Sequence, residues 1–185
     1  PRLHIAWPTP PAFSAPEAAL DAAAAILASG KNSRLYKRLV YDLQVAQDVM
    51  ALQDSRVAAS AFVIVVTARA GHTLEEMRQL VDEEIARLKS EPPTQRELQR
   101  FQNRMEASFY DRLEHVGGFG GKANLLNSYY FHTGNPDYLA EDLARYRALG
   151  PGDVRAVTER YLSPGRVVIS VVPEGQKALA VAEVK

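Results

Sequence analysis

Apolar and polar positions alternate along residues 2–7: Leu3, Ile5 and Trp7 stand against Arg2, His4 and Ala6, the period of a half-buried strand, which the run PTPP at 8–11 ends. The pattern then becomes helical. Residues 15–29 are rich in alanine, with Pro16 near the start, Glu17 in the first turn and Gly30 as the stop. So many small side chains permit close packing against a sheet or another helix. Asn32 or Ser33 caps a second helix, in which Leu35, Leu39 and Leu43 share one face while Lys37, Arg38 and Asp42 face away. From Val45 the chain reads as two antiparallel strands joined near Asp54-Ser55-Arg56. The second carries AFVIVV at 61–66, a β-branched run suited to a central place in its sheet.

Two capping boxes follow. Thr73 with Glu76 opens a helix with Leu74, Met77, Val81, Ile85 and Leu88 at spacings of three and four. Thr94 with Glu97, after Pro92-Pro93, opens another with Leu98, Phe101, Met105, Phe109 and Leu113. GGFGG at 117–121 breaks the periodicity, as a flexible joint or as a place where a peptide or phosphate approaches the backbone closely, after which a helix runs to YYFHTG at 129–134. Asn135-Pro136 caps a helix through Leu139, Leu143 and Tyr146, and Gly150-Pro151 separates it from a last helix carrying Val154, Val157, Tyr161 and Leu162. SPG at 163–165 turns the chain into RVVISVV, a closing strand that returns to the opening sheet. The order predicts an α+β fold, an antiparallel or mixed sheet of about four strands covered by several helices. With 185 residues and no repeat or low-complexity linker, residues 1–185 read as a single domain.

Charge narrows the function classes. Lys plus Arg equals Asp plus Glu at 22 each, so no overall field draws the chain to nucleic acid or to an anionic membrane. The longest apolar run, AFVIVV, is strand-sized, far below the roughly 18–20 residues of a membrane span, which predicts a soluble domain. The absence of cysteine removes disulfides, thiolate nucleophiles and sulfur ligands, and leaves the compartment open between bacterial periplasm and cytoplasm. A start at Pro1, without Met or a signal segment, suggests a piece of a longer chain, and the proline-rich opening fits an interdomain linker.

Catalytic patterns fail one by one. Zinc peptidases need two histidines one turn apart with a carboxylate base, yet His4, His72, His115 and His132 are scattered, and Glu114-His115 has Asp111 where the inverse motif needs its first histidine. Gly30-Lys31 lacks the phosphate-loop context, with Ala25 and Asn32 where Gly and Ser/Thr are required, so a helix stop is the better reading. Ser60, Ser108 and Ser128 have no nucleophile elbow. No catalytic or metal-binding residue is assigned. Tyr129, Tyr130 and Phe131 cluster near a helix end, as core anchors or as an apolar contact for a partner chain.

Gly30 followed by Ser33-Arg34-Leu35-Tyr36 and LVYDLQVAQDV resembles the C-terminal domain of the insulinase, pitrilysin and mitochondrial-processing-peptidase family of zinc metallopeptidases. The β-branched strand at 61–69, PPTQRELQRFQNRMEASF and LGPGDVRAVTERYLSPGRVVISVVP align with family elements in the same order, so the resemblance covers nearly the whole chain. It implies a companion domain without zinc, the metal being held by a sibling domain or subunit. The full-length form is then a homo- or hetero-dimer around a chamber for unfolded peptides. Family members carry an Arg and a Tyr seven residues apart that hold substrate near the metal. Val40 and Gln47 stand at those positions, and neither supplies a guanidinium fork or a phenol. The resemblance therefore assigns Gly30, Ser33, Arg34, Leu35 and Tyr36 to an architectural joint. It implies a non-catalytic chamber domain of a zinc metalloendopeptidase, the fragment itself being inactive. A scaffold or core subunit with this fold and no peptidase activity, as in respiratory complexes, is the alternative.

Overall fold

The computed structural model describes residues 1–118 and 120–182. Strand β1 spans Arg2–Thr9, helix α1 Glu17–Ala28, and a π-helix Tyr36–Asp42 leads into the hairpin β2 (Ala46–Asp54) and β3 (Ser60–Ala68). Helices α2 (Leu74–Ser90), α3 (Gln95–Glu114), α4 (Lys122–Thr133), α5 (Leu139–Arg147) and α6 (Pro151–Tyr161) follow, then β4 (Val167–Val171) and a 3-10 turn Lys177–Leu179. The sheet order is β2-β3-β1-β4 and every pairing is antiparallel, so of the two expected sheet types the antiparallel one forms. The β-branched run lies in β3, flanked on both sides, and β4 returns to β1 as expected.

Register assigns the two faces of the sheet. Leu3, Ile5 and Trp7 share one face with Val66, Ile64 and Phe62 of β3, and all six are buried. Helices α1, α2 and α6 cover that face, with α3 and α5 stacked outside α1. The alanines of α1 explain its closeness: Ala18, Ala19, Ala22, Ala23 and Ala24 are buried, letting the helix lie directly over β2 and against α6. The closing segment is fastened by hydrogen bonds. Trp7 Nε1 donates to the Ser163 carbonyl at 2.7 Å, Lys89 Nζ to the Leu162 carbonyl at 2.7 Å, and the Arg166 guanidinium lies 5.5 Å from the Trp7 ring centre.

Several helix ends depart from expectation, each for a local reason. The second helix is π-helical: the Leu43 amide donates five residues back to Arg38 and Val45 six back to Leu39. The wider turn keeps Leu35 and Leu39 buried but swings Leu43 off their face, leaving it 48% exposed. Arg38 does not face away; it is half-buried and pairs with Glu83 and Glu84 of α2. Neither Asn32 nor Ser33 accepts a capping bond, because the Ser33 hydroxyl turns back to donate to the Gly30 carbonyl at 2.7 Å. At α2, Thr73 caps the Glu76 amide but the box is half-made, since Glu76 bonds His72 Nδ1 at 2.9 Å. At α3 the Thr94–Glu97 box is complete. The helix expected from Asn135-Pro136 starts later, after Tyr138, because the Asn135 side chain accepts from the Asp137 amide in a local turn. Of the GGFGG joint, Phe119 lies outside the described residues.

Candidate functional site

Three regions hold the groups able to act. The first is the joint at Gly30–Tyr36. Gly30 takes a φ of 82°, closing α1 in the left-handed conformation that glycine tolerates. The turn it makes presents Arg34 to the α2–α3 connection. Arg34 Nε and Nη2 donate to the two Glu97 oxygens at 2.9 and 3.2 Å, a fork on a carboxylate, while Nη1 donates to the Glu91 carbonyl at 3.1 Å. The same Glu97 accepts from the Thr94 amide at 2.8 Å. Burial alone would raise its pKa, but the Arg34 hydrogen bonds and the Thr94 bonds outweigh it and hold the carboxyl down at about 2. Leu35 is fully buried and Tyr36 is half-buried against the core. A cavity of about 280 Å³ opens beside this joint, lined by Ser29, Gly30, Asn32, Ser33, Arg100 and Arg104 among others.

The second is a cleft of about 530 Å³ between α1, α3, α5 and β2. In and around it, Arg145 pairs with Asp142 and, at 3.3 Å, with Glu17. Tyr129 donates to Asp142 at 2.9 Å and Tyr146 to Asp21 at 2.8 Å. Phe13, held at a φ of 59°, sits under the Arg145 guanidinium at 5.3 Å and packs edge-on against Tyr129 and Tyr138. Burial pushes both tyrosine hydroxyls well above the usual phenol range, with Asp142 adding to the effect at Tyr129 and Asp21 at Tyr146. They act as fixed donors.

The third is the open face of the sheet. Register places Arg2, His4 and Ala6 beside Thr67, Val65 and Val63 of β3, Asp48, Met50 and Leu52 of β2, and Val171, Ile169 and Val167 of β4. Met50, Val167, Ile169 and Val171 are 49%, 59%, 54% and 53% exposed. Apart from His4 the middle of this face is apolar, with Arg2 and Asp48 at one end and Asp54 at the other. Isolated exposed apolar residues are ordinary, but a contiguous row across a sheet marks a contact surface.

The residues singled out in the sequence fall in different places. Gly30, Ser33, Arg34, Leu35 and Tyr36 form the joint. Val40 is half-buried in the π-helix, and Gln47 is exposed at the irregularity of β2, where the register skips between Ala46 and Asp48. Tyr129 is buried and bonded to Asp142, whereas Tyr130 and Phe131 are 64% and 66% exposed on α4. The histidines lie apart: His4 on the open face, His72 against Glu76, His115 at the end of α3, His132 between Phe13 and Phe131. Among the described residues no three His, Asp or Glu side chains are grouped to hold a metal ion, so the side chains described do not fit a zinc site. Sequence reasoning missed the open face and the acidic cluster. The open face had a signal: AFVIVV is an unbroken apolar run and VVISVV is broken only by Ser170, more apolar surface than a strand with one wet face needs.

Known structures share this architecture. A protease from Helicobacter pylori matches with a TM-score of 0.80 and 20% identity, over 90% of this chain and 40% of that one. The inactive peptidase domain of a protein from Bordetella parapertussis matches with a TM-score of 0.76 and 22% identity, over 94% and 93%. A chain of Complex III2 from Candida albicans matches with a TM-score of 0.73 and 15% identity, over 90% and 41%. The chain thus spans less than half of the Helicobacter and Candida chains and nearly all of the Bordetella one. Among curated proteins, no sequence matches it. The family model described as the Peptidase M16 inactive domain matches residues 1–105, more than half of the chain, and the protein belongs to that family.

Proposed function

We propose that this chain is a non-catalytic wall of a peptide chamber in an M16 zinc metalloendopeptidase, hydrolysis being carried by a separate zinc-bearing domain or subunit. The observation that carries the reading is the open apolar face, Met50, Val167, Ile169 and Val171, on a domain whose family is described as inactive. A face whose charges sit at its ends suits extended, unfolded peptide of varied sequence across its middle, because apolar contact is non-directional. Val40 and Gln47 accord with a supporting role, since neither can donate a charged hydrogen bond to a developing oxyanion. The joint at Arg34 braces the wall by tying the turn between α1 and the π-helix to the α2–α3 connection.

The test measures zinc content and peptide cleavage with this chain alone and with its zinc-bearing partner. The expected outcome is no stoichiometric zinc and no turnover alone, with turnover appearing in the assembled protein. Metal-dependent cleavage by this chain alone would overturn the reading. The alternative is a scaffold subunit without peptidase activity, favoured by the shared fold of the Candida albicans Complex III2 chain. It predicts that no partner restores cleavage.

A further inference from the structure

We propose that the acidic cluster between α1 and α5 is a pH-operated latch, holding the two helices together in mildly acidic solution and loosening them as the pH rises to neutrality and beyond. The geometry sets an imbalance. The Arg145 guanidinium pairs with Glu17 and Asp142 and makes no ion pair with the nearby Asp21. Glu17 also accepts from the Phe13 amide at 2.7 Å, and Asp142 from Tyr129. Asp21 receives one neutral donor, the Tyr146 hydroxyl at 2.8 Å. Ionising it adds a negative charge beside Glu17 in a partly dehydrated cleft, and among the described residues no cation bonds to it.

The surroundings leave Asp21 as the group that titrates. On its own helix it faces Glu17; from α5 it faces Asp142, Arg145 and Tyr146. From α3, Arg104 and Arg112 line the same cleft but are exposed, so water screens them, while β2 and its turn contribute the uncharged Gln53 and Ser55. Burial first, and Glu17 after it, push the Asp21 carboxyl from 3.8 up to about 7, against the Tyr146 hydrogen bond and Arg145. A carboxyl with a raised folded value binds its proton more tightly in the folded state. Its stabilisation is complete below pH 3.8, declines as pH rises to about 7, and changes no further above that. The α3 side of α5 does not share this dependence: Gln102 Nε2 donates to the carbonyls of Tyr146, Arg147 and Leu149 at 3.1, 3.2 and 3.2 Å, and the Tyr146 ring lies 6.1 and 5.8 Å from those of Phe101 and Phe109. Loosening is therefore confined to the seam between α1 and α5. The latch does not depend on the chamber role, since it lies on the helical side of the sheet.

Amide hydrogen exchange of α5 in the full chain, corrected for intrinsic rates, tests it at about pH 5.5 and about pH 8.5. Wild-type protection is expected to fall by roughly tenfold or more between the two, and Asp21→Asn, which cannot ionise, to abolish that difference. Tyr146→Phe removes the one donor to Asp21, so its midpoint should move to higher pH, which keeps the idea testable if Asp21→Asn folds poorly. Equal wild-type protection at both pH values, or a drop that persists in Asp21→Asn, would sink the latch.

Discussion

Glu97 serves two elements at once: it completes the cap of α3 and receives the fork of Arg34. Replacing it with Gln should cost about 1–3 kcal/mol, since Arg34 would keep a neutral partner in place of a carboxylate. The pH dependence has a defined sign. Because the folded value is lowered, from 4.5 to about 2, the stabilisation is present above pH 4.5 and disappears as pH falls toward 2. Denaturant melts of wild type and Glu97→Gln should therefore differ most near neutrality and converge in acid. The capping role of Glu97 was legible from Thr94-x-x-Glu97 alone. Its tie to Arg34, 63 residues away, was not, because side-chain pairing across that separation has no local pattern.

Among the elements, the π-helix separates what periodicity can and cannot reveal. A spacing of four placed Leu35, Leu39 and Leu43 on one face, and the first two are fully buried. The third is not, since one wide turn rotates everything beyond it and no composition cue announces such a turn. Leu39→Ala should lower stability by about 2–5 kcal/mol, whereas Leu43→Ala should change it by less than about 0.5 kcal/mol. Equal losses from chemical denaturation of the two variants would contradict the burial described for them. The strands were easier to place, because each alternation or β-branched run had turn residues on both sides. What remained hidden was which strand face stays uncovered, a property of how helices distribute over the sheet rather than of any strand.

For the whole molecule, helices crowd one side of a four-stranded sheet and leave the other to bound peptide, as proposed. Ile169→Asp on β4 tests this directly. Stability should shift by less than about 0.5 kcal/mol, because a 54% exposed side chain keeps its new charge hydrated. Peptide turnover by the assembled protein should fall, and zinc content should stay unchanged. Unaltered turnover would remove the open face from any working role.

That two-sided sheet carries a lesson for genetics. Under the proposed chamber role, moving one step along a strand exchanges a position that sets how much protein survives in the cell for one that sets what the protein accomplishes. Loss-of-activity alleles with normal abundance should gather at the even positions of β1, the even positions of β2 from Asp48 onward and the odd ones of β3 and β4, the rows that register aligns on the uncovered side. Alleles that deplete the protein should gather between them.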